Sequence, residues 1–209
     1  MKKIVFILSI LCTLNIHTQS FEGEIVFEIK HIFHDSSLNN NRLPNSLSCI
    51  ISGEYSKIKQ FTSLGDQSII KDTMINQSTL LVKFGDDEIA IILEDNKDTN
   101  EVVQISYSDE YIKVLNYECQ KAIVNSYNKL TEKNSTSIVY FTRKISGAYS
   151  NNFDNLKGFP LFYEINSDNI TSVYKVIKID SSIIDPKEFE INKEIKTFTF
   201  SEFKKLMNQ

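Results

Sequence analysis

Beyond the first twenty residues, the only histidines of this chain are His31 and His34. Imidazole is both a metal ligand and a proton carrier at neutral pH. The two residues lie three apart in an alternating pattern typical of a β-strand, where successive side chains point to opposite faces. No cysteine or carboxylate cluster with ligand spacing accompanies them. The sequence therefore predicts one partly buried histidine, one loop histidine and no metal site.

The acidic runs at residues 85–88 (GDDE) and 95–98 (DNKD) look like paired carboxylates. Neither is long enough for a calcium loop, and Asp, Asn and Gly are also the residues that tolerate tight turns. Residues 201–204 (SEFK) have a Ser-x-x-Lys spacing without the SDN and KTG motifs that accompany it in serine enzymes. Since no nucleophile pairs with a base, the sequence predicts a protein without enzymatic activity or cofactor.

Two cysteines, Cys49 and Cys119, follow the first twenty residues. In an oxidising compartment an even pair permits one disulfide, which would restrict the unfolded chain by roughly 4 kcal/mol. Free cysteine also packs as a small hydrophobic residue, so two separately buried thiols are the alternative. A disulfide needs Cα atoms within about 7 Å, and the sequence leaves both interpretations open.

The first twenty residues predict export. Lys2 and Lys3 precede an uncharged apolar run, residues 4–16, that is too short to span a membrane. Thr18 and Ser20 are small residues suited to cleavage before Phe21. We expect a signal peptide over residues 1–20 and one β-rich domain over residues 21–209. The expected location is the periplasm, the outer membrane or the cell exterior.

Charge excludes one class of partner. Cleavage removes Lys2 and Lys3, which changes the net charge from −4 to −6. The remaining lysines are scattered among acidic residues, whereas nucleic-acid sites need a basic stripe or patch, so we expect no nucleic-acid partner. No second apolar run approaches the length of a transmembrane helix, and we expect no membrane span after cleavage.

Strand patterns occupy most of the mature chain. In the first, Ile25, Phe27 and Ile29 alternate with Glu24 and Glu28, as in a half-buried strand. Turn sequences join further patterns into hairpins, for example residues 78–94 around GDD. Residues 111–127 read as one long strand. Residues 146–158 form the longest irregular stretch of the second half, and we expect its first part to be flexible.

Consecutive strands with short turns favour an antiparallel meander. Several strands are apolar on both faces, so the sheet must be covered on both sides in places. The apolar spacing becomes helical only at the end, with Phe200, Phe203 and Leu206 after a cap at Thr199 or Ser201. The predicted fold is mainly β, a single curved antiparallel sheet or open half-barrel with a short C-terminal helix.

Three stretches follow one another in a characteristic order: VLNYECQKAIV from residue 114, SIVYFTRKI from residue 137 and NLKGFPLFYEI from residue 155. Together they resemble the secreted GLPGLI family of Bacteroidetes-type bacteria and neighbouring families with a GxPL turn. The matching residues are Tyr117, Cys119, Lys121, Ala122, Tyr140, Thr142, Gly158, Pro160 and Leu161. Asn116 departs from a family glycine, and GFPL replaces GLPG. The resemblance implies a LolA-like or LolB-like open half-barrel in the cell envelope.

Two functions are consistent with that resemblance and with strands that are apolar on both faces. In the first, the concave face of the sheet binds an apolar ligand or a lipidated partner protein. In the second, the protein is a structural or interaction module of the envelope that fills this face with its own side chains. Alternatively, the C-terminal helix fills it, with Phe200, Phe203 and Leu206 as the side chains expected to do so.

Gly158 and Pro160 mark the end of the irregular stretch and the start of a strand. Glycine adopts backbone angles that a side chain forbids, and we expect Gly158 to use one of them. Proline fixes φ and lacks an N–H, so it belongs at the first residue or on the edge of a strand. The pair is therefore expected to fix the register of the following strand.

Overall fold

A computed structural model describes residues 21–34, 43–62, 65–84, 87–93, 101–153, 155–167 and 169–207. These residues form one large, curved and unclosed sheet of 12 strands with a short C-terminal helix. The fold class predicted from the sequence is confirmed. The predicted signal peptide at residues 1–20, the acidic run at residues 95–98 and the first half of GDDE lie outside the described residues.

The regular elements follow one another along the whole described chain. They are β1 (Gly23–Phe33), β2 (Ser46–Ser52), β3 (Tyr55–Thr62), β4 (Gly65–Asp72), β5 (Gln77–Phe84), β6 (Asp87–Leu93), β7 (Glu101–Val114), β8 (Tyr117–Asn128), β9 (Lys133–Thr142), β10 (Phe159–Ser167), β11 (Ile170–Asp180), β12 (Lys196–Thr199) and α1 (Phe200–Met207). Within the described ranges, no helix has the length and apolar character that a membrane crossing would need.

The strand order in the sheet is β12-β6-β5-β4-β3-β2-β1-β11-β10-β9-β8-β7. Strands β1 to β6 form one meander and β7 to β11 a second, and the pairing of β1 with β11 joins them. Every pair is antiparallel except β12 with β6, which is parallel. The predicted antiparallel meander is therefore confirmed, with an unpredicted parallel strand at one edge.

The segment predicted as one long strand, residues 111–127, is instead a hairpin. β7 ends at Val114 and β8 begins at Tyr117, so Leu115 and Asn116 form the turn. Leu115 has φ +52°, a left-handed conformation that bulky side chains rarely adopt. Neither Gly nor Pro marks this turn, so the strand pattern in the sequence continues across it.

The connection from β6 to β7 sets a minimum curvature for the sheet. Ten strand positions separate these two strands, which would place them about 48 Å apart in a flat sheet. Only eight Cα–Cα steps lead from Leu93 to Glu101, and these span at most about 29 Å. The sheet must therefore curl so that its two ends approach each other.

We call the two faces of the sheet inner and outer. The inner face carries Ile25, Phe27 and Ile29 of β1, each at most 4% exposed, together with the residues that pair with them in β2 and β11. Glu24 and Glu28 lie on the outer face, which confirms the predicted alternation. Each such buried side chain contributes about 1.5–3 kcal/mol, so the inner face is the main source of stability.

Residues 145–153, 155 and 156, which we call the plug, lie between β9 and β10 in the chain and cross the inner face. Their buried apolar side chains, each at most 6% exposed, are Ile145, Tyr149, Phe153 and Leu156. Tyr149 reaches the β2–β3 hairpin, where its hydroxyl donates to Gly53 O at 2.6 Å. Ser56 Oγ of β3 donates to Tyr149 O at 3.2 Å. Apart from a short 3-10 helix at Gly147–Tyr149, the segment is irregular as predicted. Its buried side chains tie it to the sheet, and the flexibility expected of its first part stays a prediction.

The C-terminal helix is present but does not fill the inner face. Glu202 N donates to Thr199 Oγ1 at 3.2 Å, and Thr199 N donates to Glu202 Oε2 at 2.8 Å, which confirms Thr199 as the cap. The helix lies beside β12 and β6 at the sheet edge, and none of its eight described residues is buried. The prediction that Phe200, Phe203 and Leu206 fill the concave face is therefore wrong, because the plug occupies it.

Residues 181–195 cover part of the outer face on their way from β11 to β12. Their side chains Phe189, Ile191 and Ile195 pack against Ile70, Leu81 and Ala90. Lys59 Nζ lies 2.8 Å from Glu188 Oε2, and Lys57 Nζ donates to Glu188 O at 2.8 Å. This return segment, residues 181–195, covers the second face of the sheet at β5 and β6, two of the strands that are apolar on both faces.

Gly158 and Pro160 fix the start of β10, but the reason expected for the glycine is wrong. Gly158 does not have a positive φ. A Cβ at this position would lie 2.1 Å from Thr142 O and 2.9 Å from Phe141 Cδ2, so glycine is needed for close packing on β9. Pro160 pairs with Phe141 beside a bulge at Leu161, a place where a strand tolerates a missing N–H.

Candidate functional site

The nine residues of the family resemblance lie together on β8, on β9 and at the start of β10. Six of them are buried, namely Cys119, Ala122, Thr142, Gly158, Pro160 and Leu161. Tyr117, Lys121 and Tyr140 are partly exposed. Most of the nine motif residues are therefore packed in the interior, and only the three partly exposed ones are accessible for a chemical role.

Lys121 and Tyr140 are cross-strand neighbours that share the carboxylate of Glu110. Lys121 Nζ donates to Glu110 Oε2 at 2.7 Å, and Tyr140 OH donates to Glu110 Oε1 at 2.6 Å. A bulge in β7 between Tyr107 and Tyr111 places Glu110 here. The sequence analysis missed Glu110, because strand alternation does not reveal a bulge.

The charges of this cluster stabilise one another. The hydrogen bonds from Lys121 and Tyr140 lower the pKa of Glu110. The bond to Glu110 in turn raises the pKa of Lys121 and of Tyr140. The cluster therefore stays a carboxylate, an ammonium and a phenol around neutral pH. It offers no group that titrates in the range where general acids and bases work best.

Cys49 and Cys119 are free, buried thiols in the structure. They lie on β2 and β8, five strand positions apart, which is roughly 24 Å along the sheet. The disulfide that the sequence permitted is therefore not formed. The other interpretation, two separately buried thiols, agrees with the structure.

We expect neither cysteine of the mature protein to react with iodoacetamide at about pH 8 in the folded state, because the thiolate is the reactive form. Burial raises the pKa of Cys49 to about 12 and that of Cys119 to about 11. Both folded-state pKa values lie above the ordinary value of 9.0. The contribution of the two protonated thiols to the free energy of unfolding is therefore complete at neutral pH. This contribution is lost as the pH rises from the pKa of the thiols in the unfolded state through their pKa values in the folded state.

Mass spectrometry of the labelled protein measures this reactivity. Two labels are expected after unfolding in urea and none before it. Rapid labelling of the folded protein, or a mass lower by two hydrogens, would contradict the buried free thiols.

His31 and His34 both form hydrogen bonds near the β1–β11 pair. The His31 ring, partly buried, has Nδ1 2.8 Å from Ser172 Oγ and Nε2 2.8 Å from Pro44 O. The exposed His34 ring has Nε2 3.0 Å from Thr171 Oγ1. The predicted environments of the two histidines are confirmed. In the described part of the chain, no three metal-ligating side chains come together.

Two neighbouring cavities lie along strands β7 to β9, the first of them beside the plug. One cavity of about 550 Å³ exposes polar and apolar surface in equal parts. Four of its lining residues are apolar, namely Val103, Val124, Phe153 and Ile165, and seven are polar, namely Glu101, Ser126, Ser135, Ser137, Asn151, Asn152 and Asn155. A second cavity of about 570 Å³ shares part of this lining. Both volumes are in the range of ligand sites, but those sites are usually mostly apolar.

The side-chain amide of Asn151, in the plug, is an unsatisfied polar group beside this cavity. Its side-chain Nδ2 and Oδ1 are buried and have no hydrogen-bond partner in the described structure. A buried polar group left without a partner costs about 1–3 kcal/mol. The plug therefore carries a local destabilisation beside the cavity of about 550 Å³.

Replacing Asn151 with leucine is expected to raise the free energy of unfolding by about 1 kcal/mol, because it removes an unpaired amide and keeps the same branching, and the larger methyl groups can extend into the adjoining cavity. Asn152 is the matched control, since its Nδ2 donates to Tyr163 OH at 2.9 Å. Asn152→Leu should lower the free energy of unfolding instead. Urea denaturation followed by circular dichroism measures both changes, and equal losses would contradict the assignment.

The chain was also compared with known proteins. The GLPGLI resemblance rests on the nine motif residues of β8 to β10 and remains a prediction. No protein-family model matches the chain, and no curated protein matches it at a significant level.

Proposed function

We propose that this chain is a non-enzymatic structural or protein-interaction module of the cell envelope, with an inner face filled by its own plug. The observation that carries the proposal is the burial of Tyr149, Phe153 and Leu156, each 6% exposed, in the main core cluster. A carrier needs this face open to receive its cargo. Here the chain itself occupies the middle of the face.

The plug docks on a row of aromatic side chains across β10 and β11. The Phe153 ring meets the Tyr163 ring edge-on at 5.2 Å, and Tyr163 stacks on Tyr174 at 4.5 Å. Burial keeps the pKa of Tyr163 well above its ordinary value, so its hydroxyl stays protonated. Aromatic pairs of this kind add about 0.5–1.5 kcal/mol each beyond area burial. The plug is therefore packed as part of the hydrophobic core.

The free edge of β7 supports the interaction part of the proposal. This strand has 14 residues, and none of the described residues pairs with it on the side away from β8. Val102, Val103 and Tyr111 are about half exposed along it. Unpaired backbone groups on a long edge favour the addition of an extended segment from another protein.

The binding of an apolar ligand or a lipidated partner protein is the second candidate function. It is favoured by the cavity of about 550 Å³, where Val103, Val124 and Ile165 adjoin Phe153 of the plug. An acyl chain entering there would have to displace the plug to reach the rest of the inner face. The polar part of the lining favours an amphipathic ligand over a wholly apolar one.

The envelope location belongs to the same proposal and is supported by the pattern of residues 1–20. Expression of the full chain in a bacterium with an envelope, followed by fractionation, tests it. The expected product begins at Phe21 and is found outside the cytoplasm. A full-length product in the cytoplasm would contradict the location.

Titration with a fluorescent fatty acid separates the two candidate functions. We expect no saturable binding by the mature protein, and no lipid in native mass spectra after expression in a bacterial envelope. The double variant Tyr149→Ala/Phe153→Ala should take up the probe, because it opens the inner face. Leu206→Ala, on the exposed helix, should behave like the unchanged protein. Saturable binding by the unchanged protein would contradict the self-filled module and support the ligand-binding function.

A further inference from the structure

Lys71 of β4 is a buried cation on the inner face. It is 7% exposed, and its cross-strand neighbours are Ser56 and Ser78, which are neutral. Its Nζ donates to Ser150 O of the plug at 3.0 Å. Within the described ranges, no carboxylate forms an ion pair with Lys71. The ammonium is thus buried with one neutral acceptor.

One carbonyl oxygen does not satisfy a buried ammonium. The group has three donor hydrogens and a full positive charge. Burial of a charge is costly unless the charge is paired and hydrogen-bonded. Lys71 is therefore suited to an additional acceptor that carries negative charge.

A cavity of about 390 Å³ adjoins Lys71 and gives such an acceptor room. Thr73 and Asn76 of the β4–β5 turn line one side, and Gly147, Ala148 and Asn155 of the plug line the other. The volume is within the range of small-molecule sites. Lys71, the β4–β5 turn and the plug therefore line one recess, with the ammonium group beside it.

Two carboxylates at the same end of the sheet are already engaged. Glu54 Oε2 accepts from Thr73 Oγ1 at 3.0 Å, and Asp72 Oδ1 accepts from Met74 N at 2.9 Å. Asp72 follows Lys71 in the strand and so points to the outer face. Both carboxylates hold turns, and neither neutralises Lys71.

We propose that Lys71 anchors an anion-binding site that takes a carboxylate or phosphate group in this cavity. Charge-assisted hydrogen bonds from the ammonium to the anion oxygens would hold the group. The site goes beyond the proposed function, because an interaction module with a filled core needs no ligand at this place. A protein that takes up no fatty-acid probe can still bind such an anion.

An NMR titration of the ¹⁵N-labelled mature protein with sodium phosphate tests the site, with sodium chloride at equal ionic strength as the control. The amides of Gly147 and Ala148, which line the cavity, should shift saturably with phosphate alone. Lys71→Met should weaken the affinity about tenfold or more, because charge-assisted hydrogen bonds contribute about 1.5–3 kcal/mol. Lys59→Met removes a cation of the outer face and should leave the affinity unchanged.

Decyl phosphate distinguishes the source of the anion. Binding about tenfold or more tighter than that of inorganic phosphate supports a lipid head group, and equal binding supports a free anion. Lys71→Arg keeps the charge and should retain phosphate binding, which keeps the test valid if Lys71→Met does not fold. Absence of saturable shifts in the unchanged protein, or equal affinities with and without Lys71, would overturn the proposal.

Discussion

Replacing Gly158 with valine is expected to lower the free energy of unfolding by about 3 kcal/mol or more, at the upper end of overpacking costs. A Cβ would lie 2.1 Å from Thr142 O, and a backbone oxygen cannot move aside as a flexible side chain can. The Phe141 ring, fully buried, closes the other side at 2.9 Å. β9 and β10 would have to separate where the plug returns to the sheet. Urea denaturation followed by circular dichroism measures the loss.

Gly53→Asn is the matched control for this substitution. Gly53 has φ +56° and no atom within 4 Å of a built Cβ. Asparagine tolerates the left-handed region, so this change should stay within about 0.5 kcal/mol. An unchanged denaturation midpoint for Gly158→Val would contradict the close packing of β9 on β10.

Replacing Tyr149 with alanine is expected to lower the free energy of unfolding by about 3–5 kcal/mol, the range for large aromatic side chains in a core. The side chain is 6% exposed, and its hydroxyl donates to Gly53 O at 2.6 Å. The substitution removes the ring and the bond that ties the plug to the β2–β3 hairpin. Thermal and urea denaturation both measure this loss.

Two further variants show which part of Tyr149 matters and whether the plug is the core element. Tyr149→Phe keeps the ring and should cost about 1 kcal/mol for the lost hydrogen bond. Leu206→Ala should cost less than about 1 kcal/mol, because Leu206 is 50% exposed on the helix. If Leu206→Ala lowered the free energy of unfolding more than Tyr149→Ala, the plug would not be the main core element. The C-terminal helix would then be the segment that fills the inner face.

Local patterns were sufficient to predict most of the strands, the antiparallel pairing of strands that are neighbours in sequence, and the helix. They did not reveal the turn at Leu115 and Asn116 or the parallel strand β12. The alternation of Ile25, Phe27 and Ile29 with Glu24 and Glu28 is a property of one strand, and short turns restrict pairing to sequence neighbours. The cap at Thr199 is likewise local, since it depends on Glu202 three residues later. Features of this kind need only a few neighbouring residues.

The plug could not be predicted, because its contacts are distant in sequence. Ser56 and Gly53 lie more than 90 positions from Tyr149, which binds both. The composition of residues 146–155, rich in Ser and Asn, is typical of an exposed loop. The available signal was the pair Tyr149 and Phe153, two aromatic residues without a strand pattern around them.

The remaining misses also depend on geometry between elements. Glu110 reaches Lys121 and Tyr140 only because β7 bulges, and no residue type marks the bulge in the sequence. Whether Cys49 and Cys119 can form a disulfide depends on the distance between β2 and β8, and that distance depends on the order of the strands in the sheet. The environment of Lys71 was not predictable either, because Ser150, which accepts a hydrogen bond from its Nζ, lies 79 positions away in the sequence.

NMR distance measurements on the plug show whether the chain fills its own inner face. In NOE spectra of the mature protein, we expect strong cross-peaks between the ring protons of Phe153 and Tyr163, because the two ring centroids lie 5.2 Å apart. Cross-peaks should also join the Tyr149 ring to the β2–β3 hairpin. Absence of both sets of cross-peaks, with the sheet intact, would contradict a self-filled inner face.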